Sequence, residues 1–203
     1  MPTTLKALMA ALLCCGCGIG GTPDPRTVEG AMAYAALALE RDDPRMLFRV
    51  IDARARHAMI SIVADRRRSA ELIAAAYPPA EQAEALRALG DAATVPDAAA
   101  LFASRCGALC RQEIASVIGA PVETTREGEE LVVQTTRGAR VRMYRAGEDA
   151  WWGLVWKTAE LDRERDRANQ ALQQIERNVE TYRRRRELAH EAAAPSSPEP
   201  SGD

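Results

Sequence analysis

The sequence predicts an α+β fold in which helices come first, a four-stranded antiparallel meander second and one long helix last. Three observations carry this expectation. Apolar residues recur at helical spacing from Val28 to Val117. Between Val122 and Trp156 that period gives way to short runs separated by glycine-containing turns. After Lys157 the helical period returns. Helices followed by sequential strands with close turns place the chain in the α+β class.

Two Asp-Pro pairs, Asp24-Pro25 and Asp43-Pro44, each put an N-cap acceptor before a proline at the first helical position. The first opens a helix to about Glu40, with Val28, Ala31, Met32, Ala35 and Leu39 on one stripe. The second opens helical segments reaching Tyr77, with Leu47, Ile51, Ala55, Ala58, Met59 and Ile62 as the apolar stripe. Pro78-Pro79 stops that run and starts a short helix, Ala80 to Leu89, ended by Gly90. Asp97 caps a further helix carrying Leu101, Phe102, Cys106, Leu109, Ile114 and Val117, closed by Gly119 and Pro121.

Four strands are expected at Val122–Arg126, Glu129–Thr136, Ala139–Arg145 and Ala150–Trp156, divided by Glu127-Gly128, Arg137-Gly138 and Gly147-Glu148-Asp149. In the third, Val141 and Met143 alternate with Arg140 and Arg142, which leaves one sheet face solvated. Beyond Lys157, Leu161, Ala168, Leu172, Ile175, Val179, Tyr182 and Ala189 trace a narrow seam interrupted by Arg165 and Arg186. Its first half should pack on the domain. Its second half, Val179 to Ala189, has little to bury, so it frays or meets a partner, a second copy of itself included. The residues from Ala194 onward are rich in Pro, Ser and Glu, a composition of disordered tails.

Composition narrows the function classes. The 203 residues carry 27 basic and 29 acidic side chains, a formal net charge of −2. Bulk charge therefore gives no support to nucleic-acid binding. The chain has three Trp, four Tyr and two Phe, few large rings for closely packed, alanine-rich helices.

Lys6 precedes a short apolar run, Leu8 to Leu13. A membrane span needs about 20 apolar residues, so the run reads as the core of a secretory signal, residues 1–16. Leu12-Leu13-Cys14-Cys15-Gly16-Cys17-Gly18 resembles the lipobox of bacterial lipoproteins. That resemblance implies that one cysteine becomes the diacylated first residue of the mature chain. Cys17, with Gly16 before it, is the favoured site; Cys15, with Leu12 three residues earlier, is the alternative, and an ordinary secretory signal is the rival reading. Glycine follows either cysteine, which in Gram-negative lipoproteins implies the outer membrane, facing the periplasm. Residues 17–26 would then form a tether, 27–157 the α+β domain, 158–192 a charged helix and 193–203 the tail. The order of helices and meander also resembles the cone-shaped NTF2-like domains, a likeness that implies a pocket between helices and a bent sheet. The chain is similar, too, to predicted bacterial lipoproteins, which implies no activity.

Two residue groups bear on chemistry. Trp151, Trp152 and Trp156 are candidates for a ligand platform or for core aromatics. On a strand Trp152, Leu154 and Trp156 share one face, leaving Trp151 for the C-terminal helix or a ligand. Cys106 and Cys110 stand one helical turn apart, as a disulfide or as two buried thiols. A bridge requires the helix to loosen at Gly107, because i and i+4 side chains on an intact helix sit about 5–6 Å apart at Cβ. Too few ligands accompany them for a metal, and no cofactor is expected. No catalytic motif occurs, and His57 and His190 are far apart in sequence. Arg66-Arg67-Arg68 and Arg183–Arg186 are candidates for contact with anionic lipid heads. The expected function is a lipid-anchored, non-enzymatic envelope scaffold or interaction module, with the membrane and a protein as partners. The alternative is an NTF2-like small-molecule-binding domain with a Trp-lined pocket.

Overall fold

The computed structural model describes residues 22–193. The signal segment with Cys15 and Cys17, and the tail from Ala194, lie outside the described residues. Helices α1 (Val28–Glu40), α2 (Pro44–Arg49), α3 (Ala53–Ala76), α4 (Pro79–Ala88), α5 (Ala98–Arg105) and α6 (Ala108–Val117) precede the sheet. Strands β1 (Pro121–Glu127), β2 (Glu130–Thr135), β3 (Arg140–Tyr144) and β4 (Gly153–Leu154) follow in that spatial order, each antiparallel to its neighbour. Helix α7 (Thr158–Ala193) closes the chain. The fold is α+β, with helices first, a four-stranded antiparallel sheet next and a long helix last.

Local chemistry explains most boundaries. The Asp43 carboxylate accepts the Met46 amide at 2.9 Å and Asp97 accepts that of Ala100 at 2.7 Å, so both acids cap helices as their positions predict. At the first Asp-Pro pair the cap moves. Thr27, not Asp24, accepts the Gly30 amide, and Asp24 instead holds the turn before it through the Arg26 amide. Pro25 is buried, and its carbonyl accepts the Trp152 amide at 2.9 Å, so the end of the expected tether is seated on the domain.

Two stretches of helical spacing are interrupted, the first expected as helical segments and the second as one helix. Between α2 and α3 the chain is extended at Ile51, which forms a parallel bridge to Leu154, and Asp52 then caps α3. Apolar spacing does not register this break, because Leu47, Ile51 and Ala55 are all buried on either side of it. The helix expected from Asp97 breaks at Cys106-Gly107, and both halves close on a disulfide between Cys106 and Cys110. The bridge is thus present and the uninterrupted helix is not.

The main core lies where α1, α3, α5, the inner sheet face and the first half of α7 meet. It is built from Met32, Ala35, Met59, Ile62, Phe102, Val133, Met143, Leu161 and Ala168. Val133, Val141 and Met143 point inward, while Arg140 and Arg142 stay exposed on the other face, which satisfies the predicted alternation. A second, smaller cluster joins Ile73, Tyr77, Leu89 and Ile175 at the far end of α3. Among the described residues no helix is long and apolar enough to cross a membrane.

Candidate functional site

The surface of greatest interest is built by α3 and α7. Leu161, Ala168 and Ile175 recur every seven residues and are the buried positions of α7, with Tyr182 half-buried one repeat later. This spacing keeps a narrow seam on one side of the helix, along which its main neighbour is one other helix. The neighbour is α3, and the two helices run parallel. At their starts the Thr158 hydroxyl donates to Asp52 Oδ2 at 2.9 Å; near the end of α3 the Asn178 amide donates to the Tyr77 hydroxyl at 2.8 Å. The meander between them carries the chain back to where α3 began.

Asp52 is the pivot of this arrangement. It is 0% exposed and accepts the Arg54 and Ala55 amides, the Arg54 Nε and the Thr158 hydroxyl. One buried carboxylate therefore lies at the start of both long helices, where their unpaired amides favour negative charge. The backbone nearby is tightly interlocked. The Leu154 amide donates to the Val50 carbonyl at 2.7 Å, and the Asp52 amide donates to the Leu154 carbonyl at 2.9 Å. A Cβ on Gly153 would stand 2.5 Å from the Asp52 Cα, so glycine alone fits there.

Ionic contacts extend from the pivot across the outer sheet face. Arg54 donates to Glu130 Oε1 at 2.7 Å and lies 4.0 Å above the Tyr144 ring. Arg142 bridges Glu130 and Glu127, and Arg140 also reaches Glu127. The hydrogen bond from Arg54 holds the Glu130 carboxyl below its ordinary pKa, against burial, with Arg142 adding to it. A shallow groove on the same face is lined by Glu123, Thr125, Val132, Gln134 and Arg140. On α5, Arg105 grips both oxygens of Glu164 at 2.7 Å and so ties α5 to α7. Burial opposes the Arg105 charge, but its bonds to Glu164 outweigh that and raise its pKa.

The three tryptophans do not converge. Strand β4 contains Gly153 and Leu154 alone, so the expected face of Trp152, Leu154 and Trp156 does not form. Trp152 is buried beneath the Arg145 guanidinium, 4.8 Å from its ring. Trp156 packs edge-on against Phe102 at 5.1 Å, and Trp151 meets Tyr34 of α1 at 5.7 Å rather than α7. Each ring thus has its own protein neighbour.

Beyond Tyr182 the seam ends. Every residue from Arg183 to Ala193 is exposed, including Leu188 and His190. Arg183 pairs with Glu180 at 3.1 Å, whereas Arg184, Arg185 and Arg186 make no ion pair with the described residues. The other basic run is used internally: Arg67 donates to the Val95 and Pro96 carbonyls and Arg68 pairs with Glu71. His57, exposed at the start of α3, and His190 sit toward opposite ends of the parallel helix pair. Among the described residues no cluster of three or more potential metal ligands occurs.

Sequence reasoning located the seam of α7 but ended its packing too early, because Val179 and Tyr182 find the cluster around Tyr77 only in three dimensions. It missed Asp52 altogether; the signal was an acid just before a helical run, hidden inside a longer apolar stripe. No family model matches this chain, and neither a curated protein nor a solved structure does.

Proposed function

We propose that this protein is a non-enzymatic scaffold of the cell envelope, acylated at Cys17 or Cys15, that presents the end of α7 to an acidic partner. The observation that carries the reading is the exposed, arginine-rich stretch Arg183–Ala193 on a helix firmly held up to Tyr182. Such an arm is costly to leave unsupported, since a helix of about three turns is marginal alone in water. Here the packed part of α7 serves as its nucleus, and side chains on every side of the arm stay available.

The place where the described residues begin adds direction. Pro25 is bonded to Trp152, near the start of α7, whereas the arm lies at the other end of a helix about 54 Å long. An anchor preceding Thr22 and the arm would therefore face opposite ways, and the arginines would reach away from the anchoring bilayer. This favours an acidic protein surface over the lipid heads of the same membrane. The separate neighbours of the three tryptophans give the pocket reading no comparable support.

A photo-crosslinking residue at Leu188, in the full chain expressed in a bacterial envelope, tests the proposal. Crosslinked species should form at Leu188 and not at the exposed control Ile60. They should disappear when Arg183–Arg186 are replaced by glutamine. Equal crosslinking with and without the arginines would overturn the partner reading. An N-terminus lacking an acyl group by mass spectrometry would overturn the anchor.

A further inference from the structure

The Cys106–Cys110 bridge does more than join two neighbours in sequence. An intact helix holds i and i+4 Cβ atoms about 5–6 Å apart. A relaxed disulfide needs about 3.8 Å. The bridge and an unbroken helix therefore exclude each other. The chain resolves the conflict by leaving helical geometry at Cys106 (ψ 67°) and Gly107 (ψ −171°).

What lies beyond the break is weakly held. Helix α6 buries no residue fully, its N-cap Gly107 offers no side-chain acceptor, and Leu109 is 76% exposed. Its C-terminal end is secured differently. Thr135 donates to the Val117 carbonyl at 3.0 Å and Arg137 to that of Ile118 at 2.7 Å. Its start depends on the sulfur bridge and on Arg111, which reaches the Cys106 carbonyl and Asp42. The two sulfurs also differ in access: Cys106 is 0% exposed, while Cys110 is half-buried.

We propose that Cys110 is the entry point for thiol–disulfide exchange and that the bridge is a reducible latch on the first half of α6. A thiolate of a small or protein dithiol attacks the Cys110 sulfur. The Cys106–Cys110 bond breaks as the mixed disulfide forms, and Cys106 leaves as thiolate and takes a proton. The second thiol of the reductant then displaces Cys110, so the reductant ends oxidised and the protein holds two thiols. Residues 106–112 lose their constraint, while the end of α6 stays on the sheet through Thr135 and Arg137.

Dithiothreitol on the full, folded chain tests this, with hydrogen exchange read peptide by peptide before and after reduction. Reduction should proceed without denaturant and raise exchange at least tenfold within 105–113, leaving α3 and α7 unchanged. Reoxidation should restore protection. In the reduced protein, iodoacetamide should label Cys110 at least tenfold faster than Cys106. The C106S/C110S variant, which needs no reductant, should show the same local exchange. Resistance to reduction until the protein unfolds, unchanged exchange in 105–113, or faster labelling of Cys106 would each overturn the proposal. If both the reduced protein and the double variant unfold globally, the bridge is a structural staple and the latch is likewise refuted.

Discussion

Asp52 and Thr158, 106 residues apart in the chain, are joined by a 2.9 Å hydrogen bond that sets the starts of α3 and α7 side by side. The same carboxylate caps α3, so one buried group determines where the first long helix begins and how the last one is aligned to it. A buried carboxylate is expensive unless its acceptor positions are filled. Here two amides, a guanidinium and a hydroxyl fill them.

Removing that carboxylate should be among the more damaging single changes in the molecule. Asp52→Ala deletes a helix cap, worth about 1 kcal/mol, and leaves the half-buried Thr158 hydroxyl without its acceptor, worth about 1–3 kcal/mol more. A combined loss of about 2–4 kcal/mol is expected in urea unfolding, against about 1 kcal/mol for Thr158→Val. Equal effects from the two substitutions would show that Asp52 acts on α7 alone and not as a double cap.

Acid should weaken the sheet's link to α3 through Glu130. Its folded-state pKa lies below the ordinary 4.5 because Arg54 bonds its charged form. A depressed carboxylate pKa adds stability that is fully present above the unfolded value. That stability is lost as pH falls through the lower, folded value. Glu130→Gln should therefore cost about 1–2 kcal/mol at neutral pH, in keeping with a hydrogen bond to a charged group. The deficit should shrink as pH drops below the ordinary 4.5 and through the lower, folded value. Thermal melts of both proteins across that range are the check; a deficit independent of pH would point to lost packing.

At the other end of the helix pair, two truncations separate packed from free residues. Among the described residues, a stop after Tyr182 removes only exposed ones, and the unfolding midpoint should not move. A stop after Arg177 also deletes Asn178, Val179 and Tyr182, and with them the bond and the ring contact to Tyr77. Burial of one partly covered aromatic and one valine suggests a loss of about 2–3 kcal/mol. Two equally stable truncations would place the end of the packed seam before Asn178.

Fold class was legible because period and punctuation are local. Apolar spacing distinguishes helix from strand, and Asp43 and Asp97 announce caps through atoms only three residues away. Glu127-Gly128 and Arg137-Gly138 likewise set the hairpins, with glycine at positive φ in each. The narrow seam Leu161, Ala168, Ile175 already implied that the first half of α7 packs on the domain.

What the tertiary structure decided are the places where distant chain segments compete with local preference. The short β4 pairs with Tyr144 on one side and bridges Ile51 on the other, and this diverts Trp152 and Trp156 to separate neighbours instead of a common face. A covalent bond between Cys106 and Cys110 interrupts a stretch whose side-chain spacing is helical throughout. The cluster around Tyr77 holds Val179 and Tyr182 that the seam alone would have left loose. In each case the deciding partner lies outside the window over which propensity and period are felt. Burial and hydrogen bonding then outweigh local preferences of about 1 kcal/mol or less per residue.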